Sequence, residues 1–135
     1  MKNVSKLIVL LLCMLSIASC NSSEKLLCHN WRLVDVQLDE ATINLTQEQK
    51  PKMIQQLRDS CRFTFNKDHT YNIKLPQKNE VGVWSFSKNH DTIYSQNDHS
   101  GSFSKVNVLS ETTLDIDVRS RDGSHYKFIL APVQQ

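Results

Sequence analysis

The residues able to do chemistry are thinly spread. Five histidines, at 29, 69, 90, 99 and 125, form no His-x-His or His-x3-His pair of metal-ligand spacing. His90-Asp91 and Asp98-His99 stand in consecutive predicted loops, where convergence on a cation is geometrically open. Turn residues of these types ordinarily stay solvated, so no metal is expected. Asp115 and Asp117 share a strand face, as a general acid and base would. Their alternation with Leu114, Ile116 and Val118 makes that face an outward polar one. Ser, His and Asp occur without a Gly-x-Ser-x-Gly elbow, and no Gly-rich phosphate loop is present. Neither a catalytic residue nor a cofactor is expected, and the chain does not read as an enzyme. What remains is apolar chemistry: Trp31, Phe63, Phe65, Tyr71, Trp84, Phe86, Phe103, Tyr126 and Phe128, spaced so that most should face one interior.

The elements that must position these side chains read mostly at period two. Trp31 and Leu33 begin a strand that continues through Val34, Val36 and Leu38; the apolar parity flips between Leu33 and Val34, which predicts a bulge. Cys61, Phe63 and Phe65 alternate with polar residues, as do Tyr71, Ile73 and Leu75. Gly82, Trp84 and Phe86 follow, then Ile93, a strand around residues 103–109, the alternation Leu114, Ile116, Val118, and a last strand over residues 126–130. Turn signals separate them at residues 66–68, 76–79, 88–91, 96–101, 110–111 and 121–123. About eight strands joined by short turns form an antiparallel up-and-down meander, which closes into a barrel to remove its edges. One segment departs from this pattern. In residues 46–60, Met53, Ile54 and Leu57 share a helical face. Thr46 and Gln49 fit a capping box, but Pro51 lies one turn too deep for a helix starting there, so the helix is expected to begin near Pro51 as its first residue.

The N-terminus gives the sharpest signal. Lys2 and Lys6 precede a short apolar run, residues 7–15, too short to cross a hydrocarbon layer about 30 Å thick. Ile17-Ala18-Ser19-Cys20 follows. This resembles the lipobox of bacterial lipoproteins and implies a signal peptide over residues 1–19, with Cys20 the acylated first residue of the mature chain. Several acyl chains would give stable anchoring. Asn21 is not the Asp that resembles an inner-membrane retention signal, so the outer membrane is the expected location. Residues 20–26 read as a short lipidated tether and residues 27–135 as the domain. Losing the leader with Lys2 and Lys6 leaves fourteen basic and fourteen acidic residues, a neutral balance that offers nucleic acid no basic patch.

Residues 27–132 resemble the lipocalin-like domains of many Gram-negative lipoproteins. The matching pieces are Trp31, the hairpin from Phe65 through Asp68 to Tyr71, Gly82-Val83-Trp84, and the closing run from Tyr126 and Phe128 to Pro132. His69 stands where such hairpins commonly have Gly. The resemblance implies a calyx-type fold and brings no reaction and no established ligand.

Two questions stay open at this point. Cys28 and Cys61 would sit in an oxidising compartment, where a disulfide is reasonable. As antiparallel neighbours, however, their strands would hold them several residues apart, whereas bridging needs Cα atoms within about 7 Å. The interior of such a barrel is just wide enough to be filled by side chains or to hold one small ligand. A filled core, a modest apolar cavity lined by Trp31, Phe65, Tyr71, Trp84, Phe86 and Phe128, and a rigid interaction or inhibitor module displayed to an envelope partner are the three readings.

Overall fold

A computed structural model describes residues 22–39, 45–121 and 123–134. The expected signal peptide, residues 1–19, and Cys20 lie outside the described residues. Eight strands, β1 (Asn30–Leu38), β2 (Arg62–Phe65), β3 (Thr70–Leu75), β4 (Lys78–Phe86), β5 (Thr92–Gln96), β6 (Gly101–Leu109), β7 (Leu114–Ser120) and β8 (His125–Pro132), pair in sequence order. Every pairing is antiparallel, and β8 returns to β1 to close the barrel, with Leu33 opposite Leu130. The meander and its closure follow from alternation and short turns, as expected. The turn between β3 and β4 is tighter than the sequence suggested: Leu75 pairs with Lys78, leaving only Pro76 and Gln77 between them.

Two bulges set the inside and outside faces. The β1–β8 register shifts between Leu33 and Asp35, so that Leu33 and Val36 both enter the core while Val34 turns outward. The Asp35 carboxylate accepts the Val36 N–H at 2.9 Å and holds the bulge. A second shift lies between Val106 and Val108. It lets Val106 and Leu109 pack against the core while Val108 is exposed.

Residues 22–27 are helical (α1), and Leu27 is completely buried. The Leu27 carbonyl accepts the Trp31 indole N–H at 2.9 Å, which satisfies a donor that burial would otherwise orphan. The second helix, α2 (Gln49–Ser60), starts two residues before Pro51. Thr46 and Gln49 do form the capping box, with reciprocal bonds of 3.1 and 3.3 Å. Pro51 is tolerated because its missing N–H falls in the first turn, where no intrahelical partner exists. α2 rests Ile54 and Leu57 on the core, and Arg58 reaches Asp35 at 3.7 Å. Among the described residues the buried apolar side chains all lie between Leu27 and Leu130, so a chain starting at Ser22 retains every one of them.

Topology gives the barrel two unlike ends. One carries α1, the turns over residues 66–69, 87–91 and 110–113, the start of β1 and the end of β8. The other carries α2, the β3–β4 turn, and the β5–β6 and β7–β8 connections.

Candidate functional site

The end that carries α1 is plugged. Trp84 is 2% exposed and its indole N–H donates to the Asn66 carbonyl at 3.1 Å. Phe65 and Phe86 meet its ring edge to face at 6.1 and 5.7 Å, and His69 stacks on it at 4.6 Å. His69 occupies the left-handed region (φ 65) that ordinarily favours glycine. That conformation is held by the Asn66–Thr70 turn, in which Asp68 accepts from the backbone N–H and hydroxyl of Thr70. These two bonds hold the exposed Asp68 carboxyl below the usual carboxylate range. Trp31, with no exposed surface, belongs to the same core, held by its bond to Leu27 and meeting the His29 ring edge to face at 5.9 Å.

Above the plug the barrel is hollow. A cavity of about 450 Å³ opens at the end that carries α2. One wall is aromatic and aliphatic: Phe63, Phe65, Tyr71 and Phe128 with Ile73 and Ile116. Phe63 and Phe128 touch across the floor at 5.5 Å. The facing wall, on β5, β6 and β7, is polar: Ser95, Ser102, Ser104 and Ser120. Register makes three of these a row, since Ser95 pairs with Ser102 and Ser102 with Ser120. Among the described residues none of the four hydroxyls has a hydrogen-bond partner, and none is sealed from the cavity. Lys78, Glu80, His99 and Arg121 stand around the mouth, Lys78 and Glu80 as an ion pair. Burial pushes the Tyr71 phenol above its ordinary range; a hydrogen bond with Asn97 opposes the shift and the Glu80 carboxylate adds to it.

Of the side chains expected to line a cavity, Phe65, Tyr71 and Phe128 are in its wall, whereas Trp31, Trp84 and Phe86 belong to the plug beneath. Phe103 corrects the inward reading of the aromatics, because it lies on the outer face and is 47% exposed. Lys105 and Asn107 share its parity and could have signalled this. The serines of the facing wall have no reading in the sequence, because a small polar residue by itself marks neither face of a strand. Ile93 with Ser95, and Val118 with Ser120, carry the inward parity that would have found them.

The remaining candidates are placed as follows. Asp115 and Asp117 face outward, bridged by the Asn107 amide at 3.1 and 2.9 Å, with Lys127 3.5 Å from Asp115. His90-Asp91 and Asp98-His99 do not converge, since the five residues of β5 hold their loops at opposite ends of the barrel. Among the described residues no group of three or more His, Cys, Asp or Glu could hold a metal. Cys28 and Cys61 are both free thiols. The register that pairs Trp31 with Phe63 sets Cys61 level with Leu33, five positions from Cys28, or roughly 16 Å along the strand. A disulfide cannot span that distance. Burial raises both thiols above their ordinary range. A larger groove, of about 750 Å³ between α2 and β1, is lined by charged and amide side chains including Asp35, Lys50, Gln55 and Arg58 and has no aromatic wall.

Comparison with the curated proteins and with the solved structures finds no match. Comparison with protein families does: the model of the lipocalin-like domain matches residues 27–116, from the buried Leu27 into β7. The match stops before β8, yet β8 pairs with both β1 and β7 and completes the calyx. With two-thirds of its length matched and the closed meander in place around a one-ended cavity, the chain belongs to the lipocalin-like domain family.

Proposed function

We propose that this chain is a lipid-anchored envelope protein whose barrel binds one small molecule without catalysing a reaction. The cavity carries the reading. Its volume of about 450 Å³ falls within the range of small-molecule sites, roughly 300–1,000 Å³, and its lining combines an apolar wall with a few convergent polar groups. The lipobox-like run Ile17-Ala18-Ser19-Cys20 supports anchoring through Cys20, in the outer membrane on the sorting argument from Asn21. The fold supports an orientation. Cys20 precedes Ser22 by two residues, a reach of about 7 Å, and α1 docks at the plugged end. An anchor there holds the plug toward the bilayer and leaves the mouth roughly 20 Å away, facing the aqueous phase.

Native mass spectrometry of the domain purified from its own host tests the binding reading. A stoichiometric mass increment lost on denaturation is expected, and a bare chain under every gentle condition would count against it. Cys20→Ser tests the anchor: labelled fatty acid should no longer enter the protein, and undiminished labelling would refute it. A second reading, an interaction or inhibitor module, is favoured by one feature of the outer surface. Val81, Val83, Tyr94 and Phe103 are all exposed on neighbouring strands β4, β5 and β6, with Tyr94 directly opposite Phe103. A bare barrel that copurifies in a defined complex, released by Tyr94→Ser with Phe103→Ser, would replace the binding reading.

A further inference from the structure

The two walls of the cavity make different demands on whatever enters it. Phe63, Phe65 and Phe128 offer only apolar surface. The opposite wall offers hydroxyls that the protein itself leaves unpaired. Among the described residues no sealed side-chain polar atom lacks a partner, so these four hydroxyls are open to the cavity rather than orphaned in the core. Ser95, Ser102, Ser104 and Ser120 on three adjacent strands thus present donors and acceptors to whatever fills the space, which an aliphatic lining would not. Ser95 and Ser104 are among the most deeply placed, 8% and 6% exposed, and were found as the only buried polar side chains among the described residues. Water or a polar ligand must satisfy them.

The row continues toward the mouth. Arg121 follows Ser120 in sequence, and its guanidinium lies over Gly101, next to Ser102: its Nε and one Nη are 3.7 and 3.8 Å from where a Gly101 Cβ would stand. Arg121 has no ion-pair partner among the described residues. Lys78 and Glu80 neutralise one another, and Asp98, on the same loop as His99, forms no ion pair with the guanidinium. Among the described residues lining the mouth, Arg121 is a cation that no carboxylate pairs, set at the outer end of a strip of unpaired hydroxyls.

We propose that the ligand is an amphipathic anion, a molecule with an apolar, ring-like body and an oxygen-bearing anionic group such as a carboxylate, sulfonate or phosphate. The apolar body lies against Phe63, Phe65 and Phe128. The anionic oxygens accept from Arg121 and from the hydroxyls of Ser102 and Ser120, which the register places beside it. The fork of guanidinium donors suits an oxyanion better than a neutral group. This rests on the cavity being a binding site and adds the chemistry of what it selects.

Two probes with the same ring system separate the two claims. Anilinonaphthalenesulfonate carries a sulfonate, and phenylnaphthylamine lacks it. Both are titrated by fluorescence into the chain from residue 22 onward. The sulfonate is expected to bind about tenfold more tightly, the effect of one or two charge-assisted hydrogen bonds. Arg121→Gln, at an exposed position, should remove that preference and leave the affinity for phenylnaphthylamine unchanged; Ser102→Ala with Ser120→Ala should reduce it in the same direction. Equal binding of the two probes in the unaltered protein, or equal loss of both in Arg121→Gln, overturns the anion proposal while leaving the cavity reading in place. Binding of neither probe, or binding that survives Ser104→Phe in a folded protein, removes the cavity reading and the proposal with it.

Discussion

Replacing Trp84 by alanine is expected to cost about 4 kcal/mol of stability. The side chain is 2% exposed, and a buried indole removes roughly 200 Å² from water, which at about 25 cal/mol per Å² corresponds to about 5 kcal/mol as an upper bound. Truncation also leaves the Asn66 carbonyl without its donor and opens a hole between Phe65, Phe86 and His69. Large aromatic truncations in cores cost about 3–5 kcal/mol, which brackets the estimate. Urea unfolding of the chain from residue 22, followed by circular dichroism, reads it directly: with a slope near 2 kcal/mol per molar, the midpoint should fall by roughly 2 M. Two controls calibrate the inside and outside faces. Phe103→Ala, on the outer surface, should cost no more than about 0.5 kcal/mol. Asp115→Ala should cost about 1 kcal/mol, because that carboxylate accepts from Asn107 and lies 3.5 Å from Lys127 in a partly exposed setting. A loss below about 1 kcal/mol for Trp84→Ala, or an equal loss for Phe103→Ala, would refute the assignment of faces from which the plug and the cavity both follow.

Gly82→Ala should destabilise by about 3 kcal/mol in the same assay: the added Cβ would stand 2.2 Å from the Gln96 carbonyl oxygen and 2.8 Å from the Tyr71 ring, and the β4–β5 ladder cannot yield without losing its pairing; a neutral result would mean that Tyr71 does not lie across β4. Leu27→Ala should cost about 3 kcal/mol, since a side chain with no exposed surface is truncated beside Trp31; an unchanged midpoint would show that α1 does not dock. Tyr71 predicts an alkaline effect. Its raised folded-state value means that the neutral phenol is the form the fold favours, so its contribution is complete below about pH 10 and is lost as pH rises through the folded-state value. Above pH 10 the unaltered protein should lose stability relative to Tyr71→Phe, and parallel pH profiles would contradict this.

Strict alternation made the strands legible, because each has one face against the core and one against solvent. The bulge was legible for the same reason: Leu33 and Val36 can both be apolar and inward only if the register slips between them. Where one face is neither clearly apolar nor clearly charged, the reading weakens. In β6, Phe103 reads as a core residue, whereas strand parity puts it on the outer face with Lys105 and turns Ser102 and Ser104 into the cavity. The aromatic candidates divided likewise: Phe65, Tyr71 and Phe128 reach the cavity while Trp31, Trp84 and Phe86 sit below it, since parity gives the face of a strand but not the height along it. The helix starts at Gln49, two residues ahead of Pro51, because a first-turn proline costs little and the reciprocal Thr46–Gln49 bonds close the turn that leads into it. Residues 22–27 are too polar to announce a docked turn. Leu27 alone, spaced four residues from Trp31, carries that signal.

The central claim is that the hollow end of this barrel takes up one small molecule. Titrating phenylnaphthylamine into the chain from residue 22 and into its Ser104→Phe variant tests it most directly, because Ser104 is buried in the cavity wall and a benzyl group there would occupy the space. The account predicts saturable binding of one probe per chain in the unaltered protein and its loss in the variant, with the circular dichroism of the two unchanged. Equal, saturable binding by both folded proteins would contradict it and move the binding surface to the outside of the barrel.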